Sequence, residues 1–380
     1  MERITSMVGY NTPLQSGMLR ISFIVQAYHL FLLTAFFLLV IAFLVIYVAV
    51  YLKGRRKKLD IRHRLKLQYS DIIGQSIIAG STAELNDIVN ARQGSLQQWL
   101  THPFARKVFI DELFRASKMI SGDAAGNIIW LYNHFQLHVY TEKNLHSKRW
   151  NVVAKAIQRL AGLEQKQLIK SIYRFTNSRE DHIRKQAQAA VVKLIGFEGL
   201  RFLGLTNMPI GKWQQLCLLH ELSFHTGYKE VQLKKWMLSP NATVVCFALM
   251  LVHTYRCYQL HDDVIACMHH TDIAVKEEAM VTLKEIAGET TSGKLVTFFC
   301  VGEPVIQLRI LQALNEIGTP EELAFLGTIL NHPDGNFKLA AAKAIKSIRQ
   351  NDGLEIIKKN VSALQDPWPS IIAHLQEEEI

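Results

Sequence analysis

The strongest constraint on this chain is a set of apolar positions that returns every 31 residues. In one copy, Val275, Ala279, Met280, Leu283 and Ile286 fall on a single helical face, because residues three, four and seven apart share a side of a 3.6-residue turn. Thirty-one positions later stand Ile306, Ile310, Leu311, Leu314 and Ile317, and thirty-one beyond those Phe337, Ala341, Ala342, Ile345 and Ile348. Upstream lie Val244, Ala248, Leu249, Val252 and Tyr255, and earlier copies begin near Gln214, Ile183 and Val152, which makes seven units. A second apolar run follows in most of them: LIKSIYRF (168–175), LRFLGL (200–205), VIACM (264–268), LVTFF (295–299) and LAFLGTIL (323–330). Each unit therefore reads helix, turn, helix. One hairpin alone leaves an apolar face in water, so the units are expected to stack into an all-α array over residues 147–365.

The turns keep the same period. Three residues ahead of the last four units stand Asn241, Asp272, Glu303 and Asp334. Asn and Asp at that place accept hydrogen bonds from the first free N–H groups of a helix, and Glu303 complements its dipole. Gly162, Gly196, Gly288 and Gly318 follow first helices, where a left-handed residue would end them.

The sequence of branched residue, basic residue, Ala at the fifth place and Leu at the ninth, closing near Ile-Gly or Ala-Gly, resembles HEAT repeats. The short period is similar to the phycobilisome-lyase-like subtype. The basic place is held by Arg184, Lys276 and Lys338 but departs to Val245 and Gln307. This resemblance implies a right-handed α-solenoid of helical hairpins. The whole layout, including WQQLCLLHEL (213–222), also resembles a family of membrane-anchored bacterial HEAT-repeat proteins associated with processive membrane glycosyltransferases.

That layout includes an apolar segment. No Asp, Glu, Lys or Arg occurs from Ile21 to Leu52, and about 20 apolar residues suffice to cross a hydrocarbon core of about 30 Å. A cleaved signal peptide has a shorter apolar stretch with basic residues ahead of it. Here the basic residues follow, so residues 29–52 are read as a transmembrane helix behind a short segment, 1–28. Between Lys53 and Lys66, eight basic residues and one acid account for +7 of the chain's net charge of +10. Such clusters stay on the cytoplasmic side. The expectation is a single-pass protein of the inner (cytoplasmic) membrane, with its N-terminus outside and the array inside. Lys53, Arg55, Arg56, Lys57 and Lys58 are the candidate membrane-surface residues, since anionic headgroups attract such clusters. With the cluster explained by topology, no concentrated basic stripe is left for nucleic acid.

Between anchor and array, residues 59–146 read as helical, either divergent repeats or a cap, and Leu59–Ala79 reads as a continuation of the membrane helix. Residues 366–380 read as a polar closing cap. The five cysteines include no CxxC pair and suit a reducing compartment.

Catalytic signatures are sparse. The chain has no GxxxxGK[ST] loop, no GxSxG elbow and no HExxH. The di-iron hydroxylase branch of HEAT-like proteins uses repeated His-Glu pairs, and only His220-Glu221 is present. His134 and His138 are spaced to share one helical face. The densest polar stretch, residues 260–272, holds His261, Asp262, Asp263, Cys267, His269, His270 and Asp272. Every one of these has an ordinary place in a repeat, so no metal, cofactor or catalytic residue is assigned. On second helices, Lys170, Arg174, Arg201, Lys234 and Lys235 in the earlier units, against Glu321 and Glu322 in a late one, outline a graded groove on the concave face. The leading expectation is a non-enzymatic membrane-tethered scaffold whose solenoid docks another membrane-associated protein, with a glycosyltransferase or other envelope-assembly enzyme suggested by the resemblance. The alternative is a HEAT-like lyase or metal-dependent enzyme with a site near 261–272.

Overall fold

A computed structural model of the chain describes residues 13–349, 352–361 and 366–377. Among these the fold is all-α, with no strand. The chain divides into two compact units, one through Tyr132 and the other from Asn133.

The first unit is organised by α1 (Pro13–Ile78), an unbroken helix of 66 residues. At about 1.5 Å per residue it is about 100 Å long. Its helical backbone begins well upstream of the apolar run, and its continuation past Leu59 matches the sequence expectation. From Phe31 to Leu52 nearly every side chain is exposed, and this is the one described helix long and apolar enough to cross a membrane. Further along, α1 acquires a buried face. Arg62, Leu65, Lys66, Tyr69, Ile72, Ile73 and Ser76 are partly or fully covered, and their spacing of three and four residues marks one stripe. The helices α2 (Thr82–Asn90), α3 (Gln93–Thr101), α4 (Pro103–Met119) and α5 (Asp123–His134) complete this part. Tyr69 packs 4.7 Å from Phe109 of α4. Asn127 on α5 donates to the carbonyls of Ser76 and Ala79, both at 2.9 Å, which satisfies acceptors that the end of α1 leaves free.

The second unit opens with α6 (Leu137–Lys143) and continues as hairpins. First and second helices alternate: α7 (Trp150–Gly162) and α8 (Ile169–Tyr173); α9 (Asp181–Ile195) and a 3-10 helix, Gly196–Gly204; α10 (Lys212–Leu222) and α11 (Glu230–Met237). They continue as α12 (Ala242–Tyr255) and α13 (His261–Cys267), α14 (Ile273–Glu285) and α15 (Thr291–Phe299), α16 (Pro304–Ile317) and α17 (Leu323–Ile329), then α18 (Gly335–Ile348) and α19 (Gly353–Asn360). The second run of the Ile183 unit, LRFLGL, is thus in a 3-10 helix rather than an α-helix. Gly199 lets this helix lie directly against α9, since a Cβ there would come 2.6 Å from the Val191 carbonyl oxygen.

First helices pack on first helices: α7 on α9, α9 on α10, α12 on α14, α14 on α16 and α16 on α18. Between α10 and α12 the Gln215 amide donates to Thr243 O at 3.0 Å, and the Thr243 hydroxyl accepts from Ile210 N at 2.9 Å. The repeating apolar positions are the core. Val275, Ala279, Met280, Leu283 and Ile286 are all buried, as are Ile306, Ile310, Leu311 and Leu314. Covering each such Leu or Ile contributes about 1.5–3 kcal/mol. The helix α12 is covered on nearly every side, from Val244 through Leu249, and again at Leu251 and Val252.

The three expected side-chain caps form: Asn241 accepts from Thr243 N, Asp272 from Ala274 N and Asp334 from Asn336 N. Glu303 makes no side-chain cap and precedes Pro304, which lacks the N–H in any case. The expected glycine stops need correction. Only Gly196 has positive φ (+62°); Gly162 is still helical, and Gly288 and Gly318 are not left-handed. Arg256 (φ 51°) instead supplies the left-handed stop after α12. Gly318 is required by proximity, because a Cβ would lie 2.4 Å from Leu314 O and 2.8 Å from Ile348 Cδ1.

The segment expected to be a polar cap also differs. Its described part forms α20 (Trp368–Glu377), on which Trp368, Ile371, Ile372 and Leu375 are buried. Spacings of three and four give it an apolar face that continues the core. Residues 378–380 lie outside the described part, as do residues 1–12 of the expected N-terminal segment.

Candidate functional site

Two second helices from adjacent hairpins, α11 and α13, leave a cleft of about 330 Å³ between them. From α11 come Lys234, Met237 and Leu238, the last just past the helix end; from α13 come Asp263, Ala266 and Cys267. Each set is spaced by three and four residues, so each helix turns one face inward. His269 and His270, in the turn leading to α14, close the other end. The floor is apolar: Met237 and Cys267 are buried. The lip is apolar too, since Leu238 is 81% exposed.

Electrostatics divide the rim. At one end Lys234 Nζ lies 2.9 Å from Asp263 Oδ1. At the other, the His269 ring packs against Phe298 with centroids 4.8 Å apart, and His270 Nδ1 accepts a hydrogen bond from Asp272 N at 2.9 Å. That bond leaves Nε2 of His270 to carry the ring proton. Burial pushes the Cys267 thiol up to about 11, with Asp263 adding to the effect. It is therefore a neutral thiol at physiological pH, and its Sγ–H points to Asp263 O at 3.4 Å.

The cleft brings together two groups of residues that the sequence left apart: Lys234 of the groove set, and Asp263, Cys267, His269 and His270 of the polar stretch 260–272. It does not assemble a metal site from them. Among the described residues no three His, Cys, Asp or Glu side chains converge as ligands. His261 Nε2 faces the Thr291 hydroxyl at 2.7 Å, Asp262 pairs with Lys294 at 2.7 Å, and Asp272 is spent as a cap. His134 and His138 do not share a helix either: Gln136, at φ 48°, separates α5 from α6. His220 is an exposed residue whose ring meets Phe224.

Several charged residues on the hairpins pair with the neighbouring hairpin. Lys234–Asp263, Arg256–Glu285 (2.6 Å), Asp262–Lys294, Glu277–Arg309 (3.5 Å) and Lys284–Glu316 join residues 29 to 32 apart, about one repeat. Each exposed pair contributes little, about 0.2–1 kcal/mol, but together they mark one register for the stack. This bears on the groove set. Arg201 pairs with Glu198, which also meets Lys229, and the Arg174 guanidinium sits 4.9 Å over the Phe175 ring. Lys170 and Lys235 are exposed. The acidic end is corrected: Glu322 is buried, and its carboxylate accepts from Thr319 N at 2.7 Å in a capping box.

A second cleft of about 320 Å³ lies among first helices, over Cys246, Met280 and Ala313. Lys212–Glu278 (2.8 Å) and Glu277–Arg309 bridge its sides, and the apolar residue at its rim, Val281, is less exposed than Leu238. Sequence reasoning missed Leu238 and Ala266. The available signal was Leu238 itself, an apolar residue outside the repeating positions and just ahead of Pro240.

No family model matches the chain, and no curated protein sequence matches it. Solved structures similar to it include an engineered protein at 16% identity, covering 73% of this chain and 85% of that one with a TM-score of 0.38. Human deoxyhypusine hydroxylase in complex with glycerol follows at 13% identity, covering 76% of this chain and 98% of that one, TM-score 0.27. Kap121p bound to Nup53p is also 13% identical, covering 80% of this chain but 36% of that one, TM-score 0.33. At these scores the fold and the site rest on the chain's own geometry.

Proposed function

We propose that the chain is a membrane-tethered scaffold. In this reading α1 crosses the inner membrane with the preceding residues outside, and the hairpin stack is a HEAT-like solenoid that docks a membrane-bound enzyme on its cytoplasmic side. A glycosyltransferase, suggested by the resemblance of the sequence, is the first candidate. The observation that carries the reading is the cleft between α11 and α13. A volume of about 330 Å³ is at the small end of the ~300–1,000 Å³ range for ligand pockets. That suits one inserted side chain better than a cofactor. The apolar floor, with Lys234 held by Asp263 at the rim and the exposed Lys235 next along α11, fits a partner segment presenting a Leu, Met or Phe next to an acidic residue. The tether then raises the effective concentration of partner and solenoid, to about millimolar for a short linkage.

The test is purification of the full-length protein from its native membranes in mild detergent, with the stoichiometry of what remains bound read by mass spectrometry. Leu238→Glu changes an exposed lip, and Ala266→Trp fills the cleft from another exposed position. A membrane enzyme held at fixed stoichiometry by the wild type and lost from both variants is the expected result. Equal retention by all three would reject the cleft as the docking site.

A further inference from the structure

The basic residues after the apolar run are not one group. Arg62 and Lys66 belong to the buried stripe of α1 and face α4: Arg62 lies 3.9 Å from Asp111, and Lys66 lies 3.2 Å from Glu112. Lys53, Arg55, Arg56, Lys57 and Lys58 are all exposed, and no acid lies within ion-pair distance of them among the described residues. Because α1 is continuous, their directions are set by helix geometry. Successive residues turn by about 100°, so these five point around the whole circumference as a collar.

The dimensions match a bilayer layer by layer. The apolar segment read as transmembrane, residues 29–52, rises about 36 Å at 1.5 Å per residue, enough to cross the ~30 Å hydrocarbon core with a tilt. The collar rises about 8 Å, and the headgroup layer on each face is about 5–8 Å thick. Arg62, where the folded part of the unit begins to cover α1, comes only about 15 Å beyond Leu52. The five cations of the collar therefore stand where lipid phosphates would be; the paired Arg62 and Lys66, and the exposed Arg64 between them, stand beyond.

We propose that Lys53, Arg55, Arg56, Lys57 and Lys58 bind anionic phospholipid headgroups. The collar recruits an annulus of acidic lipid around α1, while Arg62 and Lys66 clasp α4 and take no part. Charge complementarity selects the occupant, since five cations with no protein acid to face sit directly beside an apolar membrane-length helix. The assignment rests on the transmembrane reading of α1.

The experiment uses the full-length protein, first in its native membranes and then reconstituted into nanodiscs of phosphatidylcholine and phosphatidylglycerol at four to one. Alkaline carbonate extraction of the membranes precedes reconstitution. After detergent stripping, the lipids that remain are quantified by mass spectrometry. Wild-type protein should retain phosphatidylglycerol at several times its bulk proportion. The variant carrying Lys53→Gln, Arg55→Gln, Arg56→Gln, Lys57→Gln and Lys58→Gln should fall to the bulk proportion, and Arg55→Lys with Arg56→Lys should keep the enrichment. None of the five contacts the folded part, and nanodiscs remove any effect of altered insertion direction in the cell. An integral wild-type protein with lipid at bulk proportion, or equal enrichment in the Gln variant, overturns the collar and leaves the anchor standing. Release of the wild type by alkaline carbonate overturns the anchor and the collar with it.

Discussion

Lys234 Nζ and Asp263 Oδ1 meet at 2.9 Å across the end of the α11–α13 cleft, although 29 residues separate them in the chain. The pair joins one hairpin to the next and sets the charge at the rim of the candidate docking site. Pairs of the same spacing recur along the stack, so this contact has both a structural part and a recognition part, and the two are separable.

Lys234→Glu removes the cross-hairpin attraction and sets two acids face to face. Because Lys234 is exposed and Asp263 only partly buried, the loss of stability should stay at about 1 kcal/mol, whereas retention of an acidic partner segment should fall more steeply. Adding Asp263→Lys restores the pair in reverse and should recover the unfolding midpoint. Thermal melts and co-purification of the single and double variants check both parts; a swap that recovers no stability would argue against the pair.

Two glycines should respond to alanine with opposite signs. At Gly318 a methyl group would press on the Leu314 carbonyl oxygen and on Ile348, and a helical carbonyl has little room to move, so Gly318→Ala should cost about 1–3 kcal/mol. Gly327 lies within α17 with nothing within 4 Å of an added Cβ. There Gly327→Ala should stabilise by about 0.5–1 kcal/mol. Denaturant unfolding curves of the two variants decide it.

Cysteine reactivity should follow burial. The Cys246 thiol is pushed up to about 11, first by burial and then by Glu278 and Asp272, and Cys267 reaches a similar value. Cys300 is exposed. Since the thiolate is the reactive form, iodoacetamide at pH 8 should label Cys300 long before Cys246, Cys257 or Cys267. The buried three should react fully only in denaturant. Peptide mass spectrometry over a time course reads the order directly, and labelling of Cys267 at the rate of Cys300 would contradict the packing of α13.

Stability on the acid side should depend on Glu198. A hydrogen bond from Lys229, with Arg201 adding its charge, holds the Glu198 carboxyl below the usual carboxylate range. The unfolded chain then binds the proton more readily than the folded one. The stabilisation is present above the ordinary glutamate value of about 4.3 and disappears as pH falls through the lower folded value. Lys229→Met removes that hydrogen bond, so its melting midpoint should decline less steeply from about pH 5 to pH 3. Parallel curves for variant and wild type would count against this role.

The 31-residue recurrence, the helical hairpins, three capping residues and the long apolar helix are all legible in the sequence alone. Each is a local property: a 3.6-residue period, an acceptor beside a free N–H, a run without charges. The buried sets at Val275–Ile286 and Ile306–Leu314 follow directly, because stacked units must cover the same positions in every copy. What depended on tertiary structure was everything decided by the distance between different repeats. Gly318 is needed because Ile348 of the next hairpin comes close, not because its backbone is left-handed. His134 and His138 lose their common face because Gln136 breaks the helix. The apolar face of α20 was hidden by the polar residues around Asp366–Pro369 and Glu377. Above all, the division of the cations into those paired across one repeat, those paired with α4 and those left unpaired in the collar has no local signature. A lysine reads the same in sequence whether an acid 29 residues away lies at 2.9 Å or nowhere near; only the packing of the helices settles which.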